Sequence, residues 1–326
     1  MKNYIKADPW NIVEEGFDPA LNEVSESIFS IGNGKMGQRA NFEEKYSGHT
    51  LRGSYVAGVY YPDKTRVGWW KNGYPEYFAK ILNSTNWIGI GIQIDGEELD
   101  LATCEVESFS RVLNMKEGYL ERKFIAKLAS GKRVEVKSTR ITSLVDSHNG
   151  AIRYAIKALN FAGKIRFEPH LDLNVFNQDS NYDEQFWVEV ARSATDGTAI
   201  ITGETKKTAF RLATAFRYQL DIDGQVATAA AETLSHDMYI GYASTAALAE
   251  GQTATLSKFV ANISSLDVAP DALEAASRSS VQAAQSKGFD TLLAEQAAAW
   301  AAKWAGCDVS IEGDVAAQQA IRFNIF

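Results

Sequence analysis

Cysteine is almost missing: Cys104 and Cys307 are the two in 326 residues. They are too few and too far apart for a disulfide framework or a thiolate metal site, and read as reduced thiols of an intracellular protein. Histidine is as sparse. His49, His148, His170 and His236 show no ligand spacing such as i, i+4 on a helix, so no metal is expected. Basic clusters are absent beyond Lys206-Lys207, and 33 Lys plus Arg against 41 Asp plus Glu leave a net charge of −8. That balance disfavours nucleic acid and anionic membranes as partners. No apolar run is long enough to cross a bilayer, and the N-terminus carries no signal-peptide core, so the expected location is the cytoplasm. P-loop and nucleophile-elbow motifs are absent. Ile31-Gly32-Asn33-Gly34-Lys35-Met36-Gly37 has the glycine spacing of a dinucleotide fingerprint. No amphipathic helix follows between Gln38 and Tyr46, so the segment reads as a turn.

What is present falls into three zones. Up to about Asn86 the chain is rich in Gly, Tyr and Trp and has little periodicity, which predicts turns and long loops between short strands. From about Trp87 to Asn262 it reads as strand after strand. Ile88, Ile90, Ile92 and Ile94 alternate with Gly89, Gly91 and Gln93, and Asp95-Gly96 closes that run with a hairpin-type turn. Val134 and Val136 follow a Ser130-Gly131 turn; Ile165, Phe167, Pro169 and Leu171 alternate with polar residues. Phe210 to Phe216 and Leu256 to Asn262 repeat the pattern, with Asp223-Gly224 as another tight turn. Many strands with no helix pattern between them predict a large antiparallel sandwich of two broad sheets.

The third zone begins near Pro270 and is Ala-rich. One helix is expected from Asp271 to about Ser286, broken at Gly288, and a second from Asp290 to about Ala305. On the second, Leu293, Ala297, Trp300 and Trp304 share a face that needs a partner surface. Val309 and Ile311 predict a short strand, and Val315 to Phe326 a third helix. That helix stops on an apolar face without a capping signal, so the chain is expected to continue beyond Phe326.

Few constellations point to chemistry. Glu43-Glu44 would face opposite ways in an extended strand and so form no acid/base pair of their own; they read as a turn-associated surface pair or as acids in a local hydrogen bond. Asp179-Ser180-Asn181-Tyr182-Asp183 has the alternating oxygens of a calcium loop, but Glu184 and Val190 stand where Gly and Glu are needed, so it reads as a polar loop. The most unusual segment is Gly68-Trp69-Trp70-Lys71-Asn72-Gly73-Tyr74-Pro75-Glu76-Tyr77-Phe78. It joins flat aromatic faces with short polar groups, the composition of a sugar-contacting loop; an aromatic loop pinned on its own sandwich or at a subunit interface is the competing reading.

The chain resembles glycoside hydrolase family 65. The resemblance is carried by Asp8-Pro9-Trp10, Ser30-Ile31-Gly32-Asn33-Gly34, Asn41-Phe42-Glu43-Glu44, Tyr60-Tyr61-Pro62-Asp63-Lys64 and Val67-Gly68-Trp69-Trp70-Lys71-Asn72-Gly73-Tyr74-Pro75. Gln178-Asp179-Ser180-Asn181-Tyr182, Phe186-Trp187 and the stretch from Ala316 to Ile325 continue it in order. Ala40 and Ala320 stand where the family pattern has Gly, both small-for-small departures. The resemblance implies a mainly β chain: a large antiparallel β-sandwich of galactose-mutarotase-like supersandwich type at 1–268, a two-helix linker at 269–306, and the start of an (α/α)6 catalytic barrel at 307–326. It also implies inverting phosphorolysis of a disaccharide, with inorganic phosphate as co-substrate and no other cofactor, in a homodimer. The catalytic acid and phosphate site would lie outside residues 1–326, leaving no catalytic residue here and this piece alone inactive. A free-standing carbohydrate-binding sandwich and a hydrolase of similar architecture are the alternatives. Within the chain, Trp69, Trp70, Lys71, Asn72 and Tyr74 are the expected substrate-contacting residues. Replacing Trp69 and Trp70 together by Ala in the full-length enzyme should raise the disaccharide KM or change the dimer mass; steady-state kinetics and light scattering that show neither would remove both roles.

Overall fold

The computed structural model describes residues 4–65, 73–177, 184–227 and 231–326. Alternation of apolar and polar residues generates two facing sheets. The larger has eleven strands, in the order Ile5–Lys6, Asn11–Glu15, Glu105–Asn114, Tyr119–Lys127, Arg133–Thr142, Asn149–Ala158, Thr253–Ser264, Arg211–Ile222, Thr198–Thr205 and Trp187–Thr195, with Gln225–Val226 added beside Arg211–Ile222. The smaller runs Glu232–His236, Tyr239–Leu248, Gly163–Asp172, Ile90–Ile94 and Glu97–Glu98. Every pairing in both sheets is antiparallel. The mainly β sandwich expected from the periodicity is therefore the architecture observed.

The core lies between the sheets. Ile90, Ile92, Ile94, Ile165, Phe167 and Leu171 from the small sheet meet Phe124, Val134, Val136, Ile152, Leu256 and Val260 from the large one. Each such side chain, fully buried, contributes roughly 1.5–3 kcal/mol. Turn chemistry sets the registers. Asp95 and Gly96 have φ of 50° and 85°, and Asp223 and Gly224 have 47° and 79°. Both pairs supply the two left-handed positions that a two-residue hairpin requires.

The outer face of the large sheet is also apolar. Ile141, Ala151, Ile200, Ala215, Phe259 and Ala261 are covered by Val281 and Ala284 of helix Leu273–Lys287 and by Phe289 and Leu292 of helix Phe289–Cys307. Strand Thr253–Ser264 is therefore buried on both sides over most of its length, and its inward row, Leu256, Lys258, Val260 and Asn262, carries two polar residues into the interior.

Three elements differ from expectation. The buried face of helix Phe289–Cys307 is Phe289, Leu292, Gln296, Trp300 and Trp304, not one running through Leu293 and Ala297. The polar Gln296 belongs inside because it donates to the Gly118 carbonyl at 2.9 Å and accepts from Leu144 N at 2.9 Å. Val309 and Ile311 form no strand. Gln318 takes their backbone groups instead, donating to Val309 O at 2.8 Å and accepting from Ile311 N at 2.6 Å. Helix Asn22–Ile28 was not expected; it continues from a 3-10 turn at Pro19–Leu21 whose N-cap is Asp18, accepting from Ala20 N at 3.0 Å.

Helix Phe289–Cys307 docks by close approach of its tryptophans to one turn. Gly118 has φ of 71°, and a Cβ there would lie 1.8 Å from Trp300 Nε1; Trp304 Nε1 donates to Met115 O at 2.9 Å. Gly118→Ala should therefore cost about 1–3 kcal/mol through backbone strain and overpacking. Chemical denaturation of the variant against the parent chain measures it, and unchanged stability would mean that this contact does not hold the helix.

Candidate functional site

The site is built from the bottom of the sandwich upward. Residues 43 and 44 lie in a bend rather than a strand, so the two carboxylates converge instead of diverging. Both are buried. Arg122 donates to Glu44 Oε1 and Oε2 at 2.5 Å each and to Glu43 Oε2 at 2.7 Å. Arg140 donates from Nε to Glu43 Oε1 at 3.0 Å, pairs with the same carboxylate through Nη2, and also donates to Asn41 O at 2.7 Å. The Tyr154 hydroxyl donates to Glu44 Oε2 at 2.9 Å. The expected surface acid pair with a local partner is thus corrected: the partners are 78 and 97 positions away, on the inward face of the large sheet. Burial alone would raise the Glu43 carboxyl, but Arg140 and Arg122 outweigh it and hold it at about 2. The same segment is continuous with the small sheet, where Ile90 N donates to Glu43 O at 2.8 Å.

Above this network lies a cleft of about 520 Å³. Its floor is the outer face of the small sheet, and glycines make it a cleft. A Cβ on Gly89 would sit 2.2 Å from His170 Nε2, and one on Gly91 3.1 Å from Glu168 Oε2. The missing side chains let the neighbouring strand lay His170 and Glu168 flat. Lys258 fixes the floor from beneath, donating to Gly89 O at 2.9 Å and His170 O at 2.7 Å, with its Nζ 4.7 Å from the Phe216 ring centre. Burial pushes the Lys258 pKa well below its ordinary value.

His170 is held neutral, its pKa pushed down to about 3 by burial and then by Lys258. Its Nδ1 lies 2.9 Å from the Glu168 carbonyl. A carbonyl only accepts, so Nδ1 carries the proton and Nε2 is left as an acceptor. The Tyr239 ring is sandwiched between His170, at 4.9 Å, and His236, at 4.3 Å. Burial, then the charges of Glu168 and Asp172, raise the Tyr239 pKa, so the hydroxyl keeps its proton. Asp172 is raised by burial, with Oδ1 accepting from Asn174 N at 2.9 Å.

The residues singled out in the sequence are placed as follows. Trp69, Trp70, Lys71 and Asn72, and the polar loop Asp179 to Asp183, lie outside the described residues. Tyr74 is 44% exposed and meets the Phe78 ring edge-on at 6.3 Å; it does not line the cleft. The glycine-spaced segment forms the hairpin Ile31–Gly32 and Met36–Gln38, the turn expected of it. Among the described residues no group of three His, Cys, Asp or Glu could hold a metal, and no helix is long and apolar enough to cross a membrane. The cleft residues were not foreseen. The alternation of Gly with Ile at Ile88 to Ile94 was the one available signal, since glycine on the outward positions of a strand leaves room for a neighbour.

A large antiparallel sandwich followed by helices laid along its outer face defines a β-domain of the supersandwich class. The chain belongs to glycosyl hydrolase family 65: the pattern of that family's N-terminal domain matches residues 12–303. It is 38% identical to maltose phosphorylase of Bacillus subtilis (strain 168), covering 98% of this chain and 42% of that protein. It is 34% identical to alpha,alpha-trehalose phosphorylase of Thermoanaerobacter brockii, covering 98% of this chain and 42% of the relative. A solved structure described as a putative kojibiose phosphorylase from human microbiome superposes with a TM-score of 0.88 at 25% identity, over 98% of this chain and 41% of that one. The chain thus spans about two fifths of the length of these three relatives, which are described as disaccharide phosphorylases.

The buried network predicts an acid-sensitive fold. The folded Glu43 pKa lies below its ordinary 4.5, so its stabilising contribution is present above 4.5 and is lost as pH falls towards 2. Glu43→Gln should flatten the dependence of Tm on pH across that window. Arg122→Met, which takes from buried Glu44 its arginine and from Glu43 one of two, should cost about 3–5 kcal/mol at neutral pH. Denaturation curves at several pH values check both, and a parent slope retained in Glu43→Gln would sink the assignment.

Proposed function

We propose that the chain is the non-catalytic N-terminal part of an inverting disaccharide phosphorylase, and that maltose is the disaccharide. The observation that carries this reading is the 38% identity to a maltose phosphorylase over 98% of the chain, against 34% to the trehalose enzyme and 28% to a kojibiose phosphorylase of Thermoanaerobacter brockii. Trehalose, kojibiose and nigerose are the alternative substrates within the same reaction type.

In the proposed reaction a phosphate oxygen attacks the anomeric carbon of the non-reducing glucose, forming the new C–O bond as the glycosidic C–O bond breaks. A carboxylic acid delivers its proton to the departing oxygen, and the products are β-glucose 1-phosphate and glucose. Phosphate is already an anion, so no protein base is needed, unlike inverting hydrolysis, where water must be activated. Glu43 and Glu44 are unsuited to the acid's role, since both are buried and spend their carboxylate oxygens on hydrogen bonds from arginines. We assign that acid to the part of the relatives' length that this chain does not span. The sandwich then serves as scaffold, as part of a homodimer interface and, through Trp69 to Tyr74, as a contact to the sugar, in a cytoplasmic enzyme.

The full-length polypeptide should release β-glucose 1-phosphate from maltose only when phosphate is supplied, and much less from trehalose, kojibiose or nigerose. This chain alone should release none. Hexose release that does not depend on phosphate would replace the phosphorylase with a hydrolase, and release by this chain alone would refute its non-catalytic role.

A further inference from the structure

The cleft over the small sheet, with Glu43 and Glu44 of the buried network in its lining, has no part in the proposed reaction, yet it is built as a receptor. We propose that it binds a neutral saccharide of one or two hexose rings, with Phe176 as the flat wall and Asn86, Asp172, His170 and Tyr239 as the hydrogen-bonding edge.

Four observations support this. The volume of about 520 Å³ falls within the roughly 300–1,000 Å³ usual for small-molecule sites. Donors and acceptors sit side by side with capacity to spare. Among the described residues Asp172 Oδ2 has no hydrogen-bond partner while Oδ1 takes Asn174 N, and the Asn86 side-chain amide and the Tyr239 hydroxyl make no hydrogen bond. His170 Nε2 is an acceptor by the tautomer argued above. Sugar hydroxyls both donate and accept, and match such a mixed edge. The wall is a flat apolar face: Phe176 is 43% exposed on a polar cleft, suited to the C–H face of a pyranose. Tyr239 cannot play that part, because both of its faces are covered by histidines. Finally, the floor is preorganised, with Lys258 holding two of its carbonyls from below.

Other ligand classes fit less well. Glu168 and Asp172 line the cleft with Arg52, so an anion would meet carboxylates. No three metal-ligating side chains converge among the described residues. An apolar ligand would leave the amide, carboxylate and hydroxyl without partners, at a cost of about 1–3 kcal/mol each.

The inference rests on the phosphorylase reading only for the choice of glucose-based sugars. Isothermal titration of the 326-residue chain with glucose, maltose and maltotriose, without phosphate, should give saturable binding in the millimolar range. Phe176→Ala and Tyr239→Phe should each weaken it by about 2- to 10-fold. One replaces an exposed side chain and the other removes a single oxygen, so circular dichroism and Tm should not change. Absence of saturable binding to all three sugars, or binding that both variants leave unaltered, would overturn the proposal. The two readings fail separately. A phosphate-dependent full-length enzyme whose N-terminal part binds no sugar sinks the cleft alone, and sugar binding by a chain from an enzyme without phosphorolysis sinks the enzyme reading alone.

Discussion

Two arginines on the inward face of the large sheet, Arg122 and Arg140, face two carboxylates, Glu43 and Glu44, at one end of the sandwich. Taking charges out of water costs several kcal/mol per ion, offset only where geometry and hydrogen bonding are good on both sides. Here the guanidiniums are met by carboxylates and by the carbonyls of Arg39 and Asn41, and Glu44 Oε2 also accepts from the Tyr154 hydroxyl. Both charges of the loop that carries the acids are matched there. Its position is therefore set by electrostatics, and the position of the small sheet follows through the Glu43 carbonyl.

The same logic runs through the interior. Lys258 occupies an inward position that apolar alternation would give to Val or Ile, and its amine holds two carbonyls of the opposite sheet. Arg111 is buried among the rings of Phe29, Phe42 and Phe109, with Glu14 and Asn22 as polar partners; burial lowers its pKa to about 10. These groups contribute direction that a purely apolar interface lacks, since a charge has few acceptable partners where methyl groups have many.

Glutamine does comparable work in the helical region. Gln296 ties helix Phe289–Cys307 to the Gly118 and Leu144 backbone, and Gln318 takes the backbone groups that a strand would have used. Arg322 fastens the last helix to Asp308 at 2.8 Å on both carboxylate oxygens, and its guanidinium lies 3.5 Å from the Trp10 ring centre. The start and the end of the chain are thereby joined by one side chain.

Short-range physics was enough to specify much of this. The period-two apolar rows, the Asp95-Gly96 and Asp223-Gly224 turns and the helix break at Gly288 depend on neighbours a few residues away, so the strands and their hairpins were legible in the sequence alone. The family was legible too, because its motifs are spread along the whole chain. The fate of the polar residues was not. Glu43-Glu44, Lys258, Gln296 and Gln318 look in sequence like solvent-facing groups, and what buries each is a partner from a distant part of the chain or a local bend that no periodicity encodes. The cleft belongs to the same category. Gly89 and Gly91 are silent until the neighbouring strand brings His170 and Glu168 over them, so only the pairing of strands about 80 residues apart in sequence turned two missing side chains into a cavity.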